Sequence, residues 1–301
     1  MNNLNWEIAT KTTARKVNSN KVSQRLGTDK EIYIFLRSSL RRIFSMFNLG
    51  LVKLNDLNHL RQTQIAHQCL VNKLDFFLVL KDRAQKKSVS SSFEILNQPN
   101  LLLESKSENG QDLFALFANK FKRDGTFLEF GAYDGVTFSN TFLLEKRLNW
   151  SGVLIDPIPK HFEQMRLNRD CISINAAITV NKKEFVKILE SPASNLSKPV
   201  SKRSITDKTH RVPAFTLTEI IDKYFPAKSL DFLSIDVEGE DLEILAQVDF
   251  SKYEINAICV EDNNRINSKG ILKYMEESGY ELVWSEYSGN DFWVIRRVQP
   301  V

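Results

Sequence analysis

Residues 127–156 read FLEFGAYDGVTFSNTFLLEKRLNWSGVLID, the pattern of a strand, a glycine turn, a helix and a second strand. An apolar run leads into the turn Gly131–Gly135. The polar cluster Ser139-Asn140-Thr141 opens the helical segment 142–148, and the second apolar run ends at Asp156. This order predicts half of a nucleotide-binding α/β unit.

The glycine turn indicates the class of ligand. Glycine allows a close approach of backbone to ligand and tolerates a positive φ, and a carboxylate that ends the next strand can accept hydrogen bonds from two ribose hydroxyls. The spacing GxxxG lacks the third glycine of a dinucleotide cradle. The acids Glu129 and Asp134 would repel a diphosphate and favour a cationic or neutral nucleoside. The residues therefore fit S-adenosylmethionine better than NAD, and a chance hairpin turn is the alternative.

Length and composition indicate an ordinary globular chain. At 301 residues, with 42% hydrophobic and 26% charged residues, the chain can bury one large core or two modest ones. The net charge of +4 is uneven, because residues 1–100 carry 16 Lys and Arg against 7 Asp and Glu, and residues 101–301 carry 25 against 30. The mildly acidic main region argues against a nucleic-acid groove there.

The cysteines and the lengths of the apolar runs bear on the cellular compartment of the protein. Cys69, Cys171 and Cys259 lie far apart and form neither a metal knuckle nor a disulfide framework, which favours core thiols in a reducing compartment. No run reaches the ~18 apolar residues that a bilayer span needs, and the N-terminus has no apolar signal core. We expect a cytoplasmic protein.

The first 92 residues are expected to form a basic, partly disordered helical segment. Apolar residues at helical spacing predict an amphipathic helix over residues 32–47, which would contact an anionic membrane peripherally or pack on its own protein. A second predicted helix carries a heptad-like seam over residues 57–78, suited to self-association or to a helical hairpin. After a Ser-rich linker, the main domain is predicted at residues 93–301.

The main domain alternates strands and helices and ends in two β-rich runs, 281–287 and 292–297. This predicts a mostly parallel sheet with an antiparallel C-terminal edge strand. Thr216 and Glu219 have the spacing of a capping box. Residues 190–211 are polar, rich in Ser and Lys and broken by proline, so we expect either a cover over a substrate cleft or a disordered insertion.

Polar residues follow the predicted strand ends, the edge of an open parallel sheet at which ligands bind. A buried core requires no such concentration of carboxylates, although strand-end acids also cap helices, as Asp236 would. These positions are Gly131–Gly135, Asp156-Pro157, Asn175-Ala176, Asp236–Glu240 and Glu261–Asn264.

In this order the motifs resemble those of class I S-adenosylmethionine-dependent methyltransferases of the FkbM type, over roughly residues 107–297. The resemblance implies a Rossmann-like fold, S-adenosylmethionine as methyl donor and, typically, O-methyl transfer to a hydroxyl of a sugar, glycoconjugate or natural product. The motifs that carry it are Gly110-Gln111-Asp112, Glu129–Gly135, Ser139-Asn140-Thr141 with Leu144-Glu145, Gly152–Pro157, Asn175–Ile178, Thr216-Leu217 and Leu233–Glu240.

The resemblance also implies residue roles. The Gly131–Gly135 turn would bind the methionine and ribose end of the donor, and Asp156 the ribose hydroxyls, at a position where many relatives carry glutamate. The shorter acid can still reach a ribose if the backbone lies slightly closer. The predicted donor-binding residues are Glu129, Gly131, Asp134, Gly135, Asn140, Asp156, Asn175 and Ala176.

Transfer to a hydroxyl needs a base or a metal ion, since an alcohol is a poor nucleophile near neutral pH. None of the four histidines lies at a predicted strand end, so the predicted catalytic residues are the carboxylates Asp236 and Glu238. A Mg²⁺ ion on Asp236, Glu261 and Asp262 is the alternative, because oxygen ligands suit it and it would lower the alcohol's pKa. The rival functions are a non-catalytic FkbM-like binding or scaffold protein and an NAD-dependent enzyme.

Overall fold

A computed structural model describes residues 70–82, 95, 101–190, 197–199, 208–237, 241–261, 268–288 and 291–297. The chain divides into two compact units, Met1–Gln64 and Ile65–Val301, and all described residues belong to the second. The predicted amphipathic helix 32–47 and most of the seam 57–78 therefore lie outside the described residues. None of the helices in the described part has the length and apolarity to cross a bilayer.

The elements alternate along the chain much as the sequence predicts. The helices are α1 (residues 70–82), α2 (Leu101–Glu104), α3 (Gln111–Ala118), α4 (Phe142–Leu148), α5 (Pro159–Asn168), α6 (Leu217–Tyr224), α7 (Asp241–Leu245) and α8 (Ser268–Glu277). The strands are β1 (Thr126–Phe130), β2 (Ser151–Asp156), β3 (Ile172–Asn175), β4 (Ala177–Ile178), β5 (Phe185–Glu190), β6 (Ser197–Pro199), β7 (Lys208–Phe215), β8 (Ser229–Ile235), β9 (Glu254–Glu261), β10 (Tyr280–Leu282) and β11 (Asp291–Arg296).

Seven strands form the main sheet, in the order β10-β11-β9-β8-β1-β2-β3. Strands β3, β2, β1, β8 and β9 pair in parallel, whereas β11 is antiparallel to both β9 and β10. The predicted Rossmann-like, mostly parallel fold is confirmed, with the reversed strand β11 one place inside the edge. The carboxyl ends of the five parallel strands meet along one edge of the sheet.

The parallel strands β2, β1, β8 and β9 are largely buried on both faces, as expected where helices cover a sheet, whereas the edge strand β3 is partly exposed. In β1, Phe127 packs in one core cluster with Phe114 and Phe232, and Leu128 packs in the other with Leu233. Each such side chain contributes about 1.5–3 kcal/mol when fully buried. The thiols of Cys171 and Cys259 are free, and both pack in or against the first cluster.

Helix α1 packs into this core. Phe76 is fully buried, and its ring centroid lies 5.2 Å from those of Trp284 and Trp293 and 5.4 Å from that of Tyr287. These contacts place α1 with the compact unit Ile65–Val301, on the N-terminal side of the predicted boundary at residue 93.

A second sheet, which the sequence analysis missed, has the order β4-β7-β5-β6. Strands β5 and β7 pair antiparallel from Phe185↔Pro213 to Glu190↔Lys208. Both ends of the segment 190–211 are therefore strand, and Ser197–Pro199 adds a third strand. Residues 191–196 and 200–207 lie outside the described residues, so the predicted cover over a cleft stays a prediction.

Candidate functional site

The turn after β1 touches the end of β8 at Gly131. Its φ is 72°, and a Cβ there would lie 2.2 Å from the backbone oxygen of Asp236, so glycine is needed for both conformation and space. The Gly131 N–H donates to the Ile155 carbonyl at 3.0 Å, which ties the turn to β2. The structure thus brings the predicted donor turn against the predicted base Asp236.

Glu129, buried in β1, holds the segment that leads into α4. Its carboxylate accepts hydrogen bonds from Ser139 Oγ at 3.0 Å, from the Asn140 N–H at 2.8 Å and from the Thr141 hydroxyl. Burial raises the pKa of Glu129, and the Arg169 guanidinium and these hydrogen bonds oppose the rise. Since both oxygens bind within the protein, Glu129 supports the turn, and its direct contact with a donor stays a prediction.

Arg169, which lies between α5 and β3, completes this hydrogen-bond network. The sequence analysis did not select it. Its guanidinium donates to Glu145 Oε2 at 2.9 Å, to the Gly135 carbonyl at 2.8 Å, and to the hydroxyls of Ser139 and Thr141 at 3.0 Å. Gly135, with φ 79°, lets the Arg169 stem pass, since a Cβ there would lie 2.9 Å from Arg169 Cγ. A single arginine before a predicted strand has no sequence signal that marks this role.

Asp134 and Asn140 have different partners. Asp134 Oδ1 accepts from the N–H groups of Val136 and Thr137 at 2.8 and 2.7 Å, which closes the turn on itself. Asn140 Nδ2 donates to Ser234 Oγ on β8 at 2.9 Å. The buried Asn140 Oδ1 accepts no hydrogen bond from the described residues. Such an oxygen is costly to leave unpaired, so it suits a donor group of a ligand.

Asp156 ends β2 and is held by three hydrogen bonds. Oδ2 accepts from the Tyr133 N–H at 3.1 Å, and Oδ1 accepts from the Ile158 N–H at 2.8 Å. His161 Nδ1 lies 3.0 Å from Oδ1, and its ring packs edge-on against Tyr133 with centroids 4.4 Å apart. About four acceptor positions exist on a carboxylate, so one remains for a ribose hydroxyl while His161 keeps its place. The sequence analysis placed no histidine here, although His161 lies in the first turn of the helix that follows β2.

A cavity of about 410 Å³ opens beside these residues, within the size range of small-molecule sites. Gly131, Pro157, Ala176 and Asp236 lie on the wall that the main sheet forms. Asn175 supports this wall, because its Nδ2 donates to the Asp156 carbonyl at 2.9 Å. The cavity therefore has two predicted donor residues, Gly131 and Ala176, and the predicted base Asp236 in its lining.

The ends of β8 and β9 carry two of the three predicted metal ligands. Asp236 follows β8 and Glu261 ends β9, and these strands pair in parallel up to Ile235↔Val260. Asp262 lies outside the described residues, as does Glu238, the second predicted base. Among the residues that are described, no group of three or more His, Cys, Asp or Glu could hold a metal ion. The prediction of Mg²⁺ therefore gains no support from the structure.

Asp291 is an acid at this edge that the sequence analysis did not select. It pairs with Glu261 across β11 and β9, and its Oδ2 accepts from Gln111 Nε2 at 2.6 Å and from Cys259 Sγ at 3.3 Å. Burial raises the pKa of Asp291 to about 6. Gln111, which belongs to one of the quoted motifs, thus has a structural role in holding this acid.

Comparison with known families decides the assignment. The model of the methyltransferase FkbM domain matches residues 129–282, just over half of the chain. The chain belongs to the FkbM-domain methyltransferase family. Comparison with the curated proteins found no match.

Two solved structures are similar to part of this FkbM-domain methyltransferase. One is the precorrin-6y C5,15-methyltransferase from Geobacter metallireducens GS-15, at a TM-score of 0.36 and 12% identity, covering 64% of this chain and 88% of that chain. The other is a chain of the fibrillarin/Nop5p complex, at a TM-score of 0.33 and 15% identity, covering 64% of this chain and 84% of that chain.

In the FkbM-domain methyltransferase the predicted donor residues have different surroundings. Gly131 and Ala176 line the cavity, and Asp156 keeps an acceptor position. Asn140 binds Ser234 through Nδ2 and keeps Oδ1 for a ligand. The remaining predicted residues bind other parts of the protein and shape the site: Glu129, Asp134, Gly135 and Asn175.

Proposed function

We propose that the chain is an S-adenosylmethionine-dependent O-methyltransferase that acts on a hydroxyl of a sugar, glycoconjugate or natural product. Membership of the family supports methyl transfer. The observation that carries the proposal is the contact of Gly131 with Asp236 on one wall of the cavity. It puts the donor turn and a candidate base, far apart in the sequence, beside the same space.

The residues present fit the nucleoside half of the donor. Asp156 keeps an acceptor position for a ribose hydroxyl, and Pro157 and Ala176 supply an apolar surface for the adenine ring. The Gly131–Gly135 turn contains no lysine or arginine, which suits a ligand without a diphosphate. This set supports an adenosine-bearing methyl donor over a dinucleotide.

S-adenosylmethionine, when bound, supplies a methyl group on a sulfonium sulfur that is already activated for displacement. The protein has to align an acceptor hydroxyl with that methyl group and to take the hydroxyl proton. Asp236 lies on the cavity wall and is the first candidate for this base. Glu238, two residues further on, is the second.

Calorimetric titration of the full chain with S-adenosylhomocysteine tests the donor site. We expect saturable binding that Asp156→Ala weakens by about ten- to a hundredfold, since a hydrogen bond to a charged group contributes about 1.5–3 kcal/mol. Asp222→Asn is the matched control, because Asp222 accepts from the Tyr253 hydroxyl at 3.1 Å and lies outside the cavity lining.

Absence of binding at millimolar ligand would refute the donor site and favour the non-catalytic FkbM-like binding or scaffold protein. Transfer of a labelled methyl group to a panel of hydroxylated glycans then tests the acceptor class. The Mg²⁺ alternative fails if that transfer is unchanged by EDTA.

A further inference from the structure

The second wall of the cavity is cationic. Strand β5 and the residues before it form this wall, with Lys183, Phe185 and Lys187 among the lining residues. Asp236 is the sole carboxylate among the described lining residues, and it lies on the wall of the main sheet. Negative charge is thus beside the donor turn, and positive charge is on the wall of the second sheet.

Among the described residues, the lysines of this wall have no carboxylate partner. In the described part of the chain neither Lys183 nor Lys187 forms an ion pair, whereas the neighbouring Lys182 Nζ lies 2.7 Å from Glu219 Oε1. Lys187 instead lies directly opposite Arg211 across β5 and β7. Like charges in this arrangement destabilise a strand pair, so an anion bound here would relieve the repulsion.

Arg211 extends the same positive surface. Its guanidinium carbon lies 3.7 Å from the ring centroid of Phe185, so the arginine stacks on a residue that lines the cavity. Phe185, Lys187 and Leu189 alternate with Val186 and Ile188. Val186 and Ile188 pack with Ile158 in a small core, whereas the side chains of Phe185, Lys187 and Arg211 are exposed.

We propose that this wall binds an anionic group of the methyl acceptor, a phosphate or a carboxylate, and so directs the acceptor's hydroxyl toward Asp236. The inference rests on the proposed function and narrows its acceptor from any hydroxyl compound to an acidic one. An acceptor with a negative charge at one end and a hydroxyl at the other matches the distribution of charge across the cavity. The carboxylate of the donor is the other anion that could bind these lysines.

Inorganic phosphate at low ionic strength is the probe, since salt screens the contacts of exposed lysines. The full chain is first saturated with S-adenosylhomocysteine, which carries the donor's carboxylate, and is then titrated with phosphate by calorimetry. We expect saturable binding that the double variant Lys183→Gln/Lys187→Gln weakens by about tenfold or more, since each lysine adds up to about 1 kcal/mol. Lys182→Gln, the matched control, is expected to leave the affinity within about twofold.

Three results would overturn the inference: no saturable phosphate binding by the wild-type chain, an equal loss in Lys182→Gln, or displacement of S-adenosylhomocysteine by phosphate. The last would assign the lysines to the donor's carboxylate. The phosphate titration is also made without S-adenosylhomocysteine. If the donor analogue fails to bind while phosphate binds through Lys183 and Lys187, the donor site is refuted and the anion site stands.

Discussion

Gly131→Ala is expected to separate the ends of β1 and β8 and to weaken donor binding. The residue has φ 72°, and its Cβ would lie 2.2 Å from the backbone oxygen of Asp236. A left-handed conformation costs an alanine about 1–2 kcal/mol, and overlap with packed atoms adds about 1–3 kcal/mol. We expect the free energy of unfolding to fall by about 2–5 kcal/mol.

Two other glycines separate these effects. Gly279 has φ 87° and no atom within 4 Å of the position that a Cβ would take. The free energy of unfolding of Gly279→Ala is therefore expected to fall only by the cost of the left-handed conformation, about 1–2 kcal/mol. At Gly152, which has no positive φ, a Cβ would lie 2.2 Å from the Phe127 carbonyl oxygen. The free energy of unfolding of Gly152→Ala is therefore expected to fall only by the cost of atomic overlap, about 1–3 kcal/mol.

Urea unfolding of the three variants measures these differences, and calorimetry with S-adenosylhomocysteine measures binding. If Gly131→Ala is no less stable than Gly279→Ala, the contact with Asp236 is not tight and the reasoning is refuted. A wild-type affinity for S-adenosylhomocysteine in a folded Gly131→Ala variant would refute the assignment of the turn to the donor.

Three further changes test the site and the core. Because the folded state holds the Asp291 proton more tightly, with a pKa of about 6, the contribution of Asp291 to stability is expected to fall by at most about 3 kcal/mol as the pH rises from about 4 to 6. Asp291→Asn is expected to remove this contribution from the pH dependence of the urea midpoint, and a pH profile identical to that of the wild type would contradict the assignment. Arg169→Met breaks the buried ion pair with Glu145 and removes the charge that opposes the raised pKa of Glu129, so it is expected to lower the unfolding free energy by about 3–5 kcal/mol. A loss in that variant under about 1 kcal/mol would show that the pair is not held in the interior. Phe76→Ala is expected to cost about 3–5 kcal/mol by the same measurement, and a wild-type midpoint would mean that helix α1 is not part of the core.

Local patterns predicted several elements to the residue. The apolar run 126–130 predicts strand β1 and the segment 142–148 predicts helix α4, and both elements have these bounds. The apolar run, the glycine turn and the polar helix start are all encoded over a few neighbouring residues. The capping box is also observed: Thr216 Oγ1 accepts from the Glu219 N–H at 3.3 Å, and Glu219 Oε2 accepts from the Thr216 N–H at 3.0 Å. Signals of this kind need no distant partner.

Helix α3 shows where a local pattern fails. Its apolar spacing predicts a helix to Lys122, but the helix ends at Ala118. Asn119 Nδ2 donates to the carbonyls of Ala115 at 2.9 Å and Asp231 at 3.0 Å, and Lys120 and Phe121 have positive φ. The bond to Asp231, on a strand far along the chain, is a tertiary contact that spacing cannot encode.

The amino-acid sequence on its own specified the type of fold and the set of polar residues at strand ends, since periodicity, turns and caps are properties of neighbouring residues. The tertiary structure decided which of these residues meet. Gly131 against Asp236, and Lys187 opposite Arg211, depend on strand order and register. Both are set by packing between segments far apart in the chain, and this packing brings the predicted donor turn, a carboxylate and two lysines to one cavity.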